Sequence, residues 1–172
     1  MLNIFYLKIF TNAKIGKNIR IMSNFKITPF TKISIGDNFY LGDYSIVRTK
    51  HQKDKYRGIQ IGKNVWIDSF FFAQCSDSLI IGDNVMMGEN VSIRCNDHII
   101  KDIIKQQPMV IGKIIIEDNV WIGRGVFIQG GLDTIKIGKN SIIGANSFIK
   151  KSIKPDSIVA GNPVKFIKKR KK

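Results

Sequence analysis

One short phrase recurs along this chain: an aliphatic residue, glycine, lysine or aspartate, then asparagine. It stands at Ile15-Gly16-Lys17-Asn18, Ile35-Gly36-Asp37-Asn38, Ile61-Gly62-Lys63-Asn64, Ile81-Gly82-Asp83-Asn84 and Ile137-Gly138-Lys139-Asn140. Ile116-Glu117-Asp118-Asn119 is a sixth, variant copy. Six residues after each leading isoleucine comes another aliphatic residue: Ile21, Leu41, Ile67, Met87, Ile122 or Ile143. Twelve after comes Ile27, Val47, Ala73, Ile93, Ile128 or Ile149. A period of six suits neither an α-helix nor a long alternating strand. It suits a short strand, a turn and another short strand. Three such units, with a two-residue surplus, make one triangular coil of about 20 residues. The expectation is an all-β fold, a parallel β-helix of about six coils. One coil cannot bury its own inner face, so stability comes from stacking.

The grammar also predicts the corners. The glycine lets the backbone pass at positive φ or without a Cβ clash. The six asparagines share one position and should stack as a ladder, and Asn tolerates the left-handed conformation. Successive copies are 20, 26, 20, 35 and 21 residues apart. Two coils therefore carry insertions, at about 50–58 and 99–113. Such bulges leave a solenoid core intact and often carry binding function. The expected organisation is a capping segment at 1–14, a repeat domain at 15–154 and a basic tail at 155–172. Pro155 and Pro163 mark the exit from the prism.

The net charge of +15 would ordinarily raise nucleic acid as a partner. Here the excess is lysine spread along the outer positions and concentrated at the end, with no aromatic platform at nucleic-acid spacing. An anionic cofactor, an acidic substrate or a membrane surface fits better. The apolar start, Met1 to Phe10, is too short to span a bilayer. It also lacks a signal-peptide pattern, so a cytoplasmic protein is expected, with peripheral membrane contact a minor alternative. Cys75 and Cys95 each lie fourteen residues after a leading isoleucine and should stack as buried free thiols. No Cys-x-x-Cys spacing suggests a metal site.

Histidine occurs twice. His98 ends the third face of its coil, directly before the longer insertion, where it can meet solvent or substrate and serve as a general base. His51, flanked by lysines before the other insertion, is the weaker candidate. Asp77 and Asp97 are the candidate substrate-binding carboxylates. The chain has no Gly-x-Ser-x-Gly, His-Glu-x-x-His or Walker-type loop.

Four stretches in order then resemble a known family: Ile81 to His98, Asn119 to Val126, Ile142 to Ile149, and Ala160-Gly161-Asn162-Pro163-Val164-Lys165-Phe166-Ile167. The chain resembles the hexapeptide-repeat acyltransferases, which are left-handed β-helices. Within them it is most similar to the galactoside, maltose, xenobiotic, capsule and lipopolysaccharide O-acetyltransferases. The resemblance implies acetyl-CoA as donor, a homotrimer with sites between prisms, and His98 as base in a direct transfer without an acyl-enzyme. Asp97 or a backbone carbonyl would then hold the other imidazole nitrogen. It implies donor contacts at Trp121, Arg124, Gly125, Ala145, Lys150, Lys151, Lys165 and Lys168. The acceptor would be a sugar hydroxyl of a surface polysaccharide or its precursor. The runner-up is N-acetylation of a nucleotide-linked amino sugar. That reading expects a separate nucleotide-binding domain, and only fourteen residues precede the first repeat. A non-enzymatic scaffold is the third possibility.

Overall fold

A computed structural model describes residues 13–28, 32–49, 58–101 and 107–171. Among them every regular element is a β-strand. The first face stacks Lys14–Ile15, Ile33–Ile35, Gly58–Ile61, Ser78–Ile81, Lys113–Ile116 and Ile135–Ile137. The second stacks Ile19–Ile21, Phe39–Leu41, Trp66–Ile67, Met86–Met87, Trp121–Ile122, Ile142–Ile143, Ser157–Ala160 and Lys165–Lys169. The third stacks Lys26–Ile27, Ile46–Thr49, Phe72–Cys75, Ser92–Arg94, Phe127–Gln129 and Phe148–Ile149. Along the winding, each strand pairs in parallel with the equivalent strand one coil before and one coil after, which is the signature of a chain wound on three faces. The fold is a left-handed parallel β-helix.

Neither insertion disturbs the rungs. Ile59, Leu79, Ile114 and Ile135 are direct partners in sequence, although the longer insertion separates the middle two. The repeat's aliphatic positions fill the prism. Met87, Ile93, Ile114, Ile116, Ile122, Ile128, Ile137, Ile143 and Ile149 are wholly buried. Each such side chain contributes about 1.5–3 kcal/mol by leaving water. Ile15, Ile19 and Ile21 of the first coil are only partly buried. The capping segment expected to cover them lies, apart from Ala13 and Lys14, outside the described residues.

The corner residues divide two tasks. All six repeat asparagines take left-handed φ, between 55° and 59°. The repeat glycines do not; they are needed for close approach. A Cβ on Gly36 would stand 2.6 Å from the carbonyl oxygen of Gly62. The asparagine ladder is present: Asn18, Asn38 and Asn64 each donate Nδ2–H to the Oδ1 of the next rung at 2.8–3.0 Å, as does Asn119 to Asn140. Replacing Asn64 by Ala removes two ladder bonds and puts a Cβ-bearing residue without local compensation at positive φ. We expect a loss of about 1–3 kcal/mol in urea unfolding, with Asn64→Gly recovering the conformational part.

Glu117 occupies the position that is glycine elsewhere, and the rung continues without a shift. Its N–H still reaches the Ile137 carbonyl at 2.9 Å. Its carboxylate accepts from Lys139 N at 2.8 Å and pairs with Lys136 at 2.7 Å. The Lys136 ammonium, opposed by burial, holds that carboxyl below its ordinary range.

Strand pairing continues past the boundary expected between residues 154 and 155. Ile153 bridges to Ile137, and Ser157–Ala160 forms a further rung on the second face. Asp156 continues the ladder, taking φ 55° and accepting from Asn140 Nδ2 at 2.9 Å. This rung was illegible because Lys154, Pro155 and Asp156 stand where the grammar has glycine, lysine or aspartate, and asparagine. The chain then reverses, and Lys165–Lys169 runs antiparallel along the last rung. Cys75 and Cys95 are buried free thiols on adjacent coils. The Cys75 thiol and burial together push Cys95 well above its ordinary value, so it stays un-ionised in the core.

Candidate active site

His98 does not sit on the third face itself. The strand Ser92–Arg94 ends first, and Asn96–His98 leaves the corner to pair antiparallel with Met109–Ile111. The long insertion is therefore based on a hairpin that carries His98 into solvent. Gly112 ties the hairpin back to the coil through its N–H to the Cys95 carbonyl at 2.8 Å. Gln129, one coil on, donates Nε2–H to the Asn96 carbonyl.

The ring of His98 is oriented by the returning strand. Nδ1 lies 3.0 Å from the Gln107 carbonyl oxygen. A carbonyl only accepts, so the proton of a neutral imidazole is on Nδ1 and Nε2 keeps its lone pair. Of the two orienting groups expected from sequence, the backbone carbonyl is the one in contact with the ring. The Gln107 side chain also binds the backbone of Lys101, accepting from its N–H at 2.8 Å and donating to its carbonyl at 2.7 Å.

Asp97 acts on the backbone instead. Its Oδ1 accepts from His98 N at 2.9 Å and its Oδ2 pairs with Lys150 Nζ at 3.0 Å. Burial alone would raise the Asp97 pKa. The Lys150 ammonium and the His98 N–H outweigh it and hold the carboxyl below its ordinary 3.8. The carboxylate is thus ionised across the neutral range, and the contact is lost only as pH falls through that lowered value. Asp77 occupies the same corner one coil earlier. One of its oxygens, Ser76 Oγ and Asn96 Oδ1 are buried without a hydrogen-bond partner among the described residues. Buried polar atoms are ordinarily paired, so this corner is polar in excess of its own needs.

The expected donor residues form a second locus. Trp121 faces outward on the second face between Met86 and Ile142, nearly half exposed. Arg124 and Gly125 line a pocket of about 210 Å³ with Glu89, Asn90 and Asn146. It adjoins one of about 240 Å³ that shares Asn90 and Gly125 and is completed by Ser92, Arg94, Val126 and Phe127. Gly125 is required there twice over: its φ is +67°, and a Cβ would collide with Asn146 Oδ1. Ala145, exposed at the same corner one coil later, packs its backbone against Gly123. Lys151 and Lys165 line a cavity of about 830 Å³ at the end of the prism, floored by Ile153, Val159 and Val164. Lys168 lies on the last strand, and Lys150 has Asp97 as its partner rather than standing free for a donor.

The groove at Arg124–Gly125 and the hairpin at His98 flank opposite edges of the third face, roughly 20 Å apart at the rise of an extended strand. The structure brings together His98, Asp97 and Lys150, and separately Trp121, Arg124, Gly125 and Ala145. His51 lies outside the described residues. Gln107, Gln129, Ser76 and Asn96 were not anticipated. Gln129 was within reach of the repeat register, since it is the rung partner of Arg94; Gln107 sits inside the insertion, where no register applies. Among the described residues no three His, Cys, Asp or Glu side chains converge as a metal site. No helix among them is long and apolar enough to cross a membrane.

The family model for the hexapeptide repeat of succinyl-transferase matches residues 113–151, the two coils that carry Trp121, Arg124, Gly125 and Ala145. Over those two coils the chain is similar to hexapeptide-repeat proteins. It is similar to the galactoside O-acetyltransferase of Escherichia coli K12, at 35% identity over 91% of this chain and 63% of that protein. It is similar to the putative colanic acid biosynthesis acetyltransferase WcaF of the same strain, at 29% identity over 96% of this chain and 74% of that one. The first relatives it matches are covered over only 27–51% of their own lengths. Among solved structures, the fold of this chain matches a single-residue variant of AntD, an N-acyltransferase from Bacillus cereus. That structure holds dTDP-4-amino-4,6-dideoxyglucose and coenzyme A. The TM-score is 0.79 at 24% identity, over 99% of this chain and 90% of AntD.

Proposed function

We propose that this protein is an acetyl-CoA-dependent O-acetyltransferase acting on a sugar hydroxyl of a surface polysaccharide or its precursor. The observation that carries the reading is the exposed His98, its Nδ1–H given to the Gln107 carbonyl and its Nε2 left as a base. Nε2 takes the proton of the acceptor hydroxyl while that oxygen attacks the thioester carbon. The tetrahedral intermediate collapses, the C–S bond breaks, and the imidazolium returns its proton to the departing sulfur. The products are the acetyl ester and free coenzyme A. A positioned base of this kind contributes ~10²–10⁴-fold in rate. No protein nucleophile is required, consistent with both thiols being buried in the core.

Trp121, Arg124, Gly125 and Ala145 are assigned to the pantetheine arm and thioester. Lys151, Lys165 and Lys168 supply positive charge for the phosphates, as point charges rather than bidentate partners. Asp77, half-buried at that corner, is assigned to acceptor hydroxyl donors. A homotrimer completes the site by setting the groove of one copy against the His98 hairpin of the next. The acetyl-CoA pool places the reaction in the cytoplasm.

One observation favours the second reading, N-acetylation of a nucleotide-linked amino sugar. AntD takes such a ligand in a chain that this protein matches over 90% of its length. A separate nucleotide-binding domain is therefore not a requirement of that chemistry, and the sequence argument against it falls.

The test is calorimetric titration with acetyl-CoA and succinyl-CoA, followed by mass spectrometry of an acceptor panel. The expected result is selective binding of acetyl-CoA near one per chain and a product heavier by one acetyl group. An acetylated glycan supports the first reading, and an acetylated dTDP-amino sugar the second. No binding of either thioester by folded protein would favour a scaffold.

A further inference from the structure

Lys150 and His98 are far apart in sequence but joined in space through one carboxylate. Lys150 follows the third-face strand Phe148–Ile149, two rungs beyond Ser92–Arg94, the strand that leads into the hairpin. Two rungs are about 10 Å. The intervening coil turns its corner at Gly130 and Gly131, and a Cβ placed on Gly131 would lie 3.7 Å from the Asp97 Cβ, an ordinary van der Waals contact. The lysine side chain spans that coil to reach Asp97. Its Nζ ends 3.0 Å from Oδ2, while Oδ1 holds the His98 N–H at 2.9 Å.

The hairpin's other ties fix different atoms. The Gln107 carbonyl holds the ring, and Gln129 holds the Asn96 carbonyl. The carboxylate of Asp97 is the group that touches the His98 backbone from its own strand, and Lys150 anchors that carboxylate to the last complete coil.

We propose that Lys150 is a positioning residue for the base: through Asp97 it sets the backbone of His98, and it is not a contact to the donor's phosphates. The inference rests on the acetyltransferase reading for its catalytic consequence but not for its geometry. Without Lys150, Asp97 loses the partner that holds its second oxygen, and the hairpin gains freedom at the residue bearing the base. Displacements of about an ångström at a catalytic group cost up to ~10²-fold in rate. We expect Lys150→Ala to lower kcat about tenfold, with the KM for acetyl-CoA within twofold. Asp97→Ala should do the same, the double variant should be no worse than either alone, and Lys150→Arg should recover most of the loss.

A second readout needs no acceptor. The chain has two histidines, so His51→Gln assigns the His98 imidazole signals in ¹⁵N-resolved NMR. In the parent, the pattern should be that of the Nδ1–H tautomer. Lys150→Ala and Asp97→Ala should each shift or broaden it, while acetyl-CoA affinity by calorimetry and the melting temperature change little. The proposal is overturned if Lys150→Ala leaves the His98 signals in place and weakens acetyl-CoA binding tenfold, which is the behaviour of a phosphate contact. It is overturned equally if the two single losses in kcat multiply in the double variant. If the parent shows no transferase activity, the acetyltransferase reading fails, and the NMR result still decides whether Lys150 holds His98.

Discussion

His98→Ala lowers kcat by ~10²–10⁴-fold and leaves acetyl-CoA binding within twofold. The expectation follows from where the ring stands. It is exposed on a hairpin outside the prism core, so truncation leaves no cavity and removes no core contact. It sits across the third face from the groove at Arg124 and Gly125, so the donor keeps its contacts. What is lost is the Nε2 lone pair. His98→Gln should be no better, because an amide accepts a hydrogen bond but does not take the proton at neutral pH. His51→Ala is the comparison: a full loss there with His98→Ala active would move the base to the other insertion. Steady-state rates with matched calorimetry check both.

Mixing two dead variants restores activity. Arg124→Glu puts a negative charge in the groove that is to receive an anionic donor, and His98→Ala removes the base. Each alone should be inactive, and both changes fall on exposed side chains that the fold does not need. If a site takes its base from one chain and its groove from the next, random assembly of the two variants leaves about a quarter of sites with both parts intact. Co-expressed and purified together, the mixture should show activity of that order. If base and groove belong to the same chain, the mixture stays as dead as its components. The roughly 20 Å between the two loci in one chain is what makes the first outcome the expected one.

The sequence was most informative where a residue's task repeats. Ile81, Met87 and Ile93 report the same inward step on three faces, and every copy of the phrase restates it, so coil number, rung register and both insertions could be read directly. The asparagine ladder was legible for the same reason. Two things escaped. The last rung, Ser157–Ala160, follows Pro155-Asp156, where the grammar changes its residues but keeps its geometry. The environment of His98 depends on Gln107 and Lys150, one inside an insertion and one a lysine among 28 basic residues. Nothing in the spacing of a lysine says which carboxylate it will reach; that depends on the hairpin that carries Asp97 out of the coil to within reach of Lys150. Trp121, Arg124, Gly125 and Ala145 came by resemblance, and the structure gathers them on one side of the prism.

The reversed final strand has a consequence for how such molecules behave in company. Every rung before it offers the next rung a parallel edge, and a solenoid ending on such an edge is a template on which another copy's first coil could lodge, and another on that, into a filament. Lys165–Lys169 runs the opposite way and is exposed along its whole length, with lysine at three of its five positions. Direction and charge together make it a poor seed, since edge lysines are a known guard against strand-to-strand growth. The turn at Gly161 to Val164 therefore takes the parallel edge away from the second face.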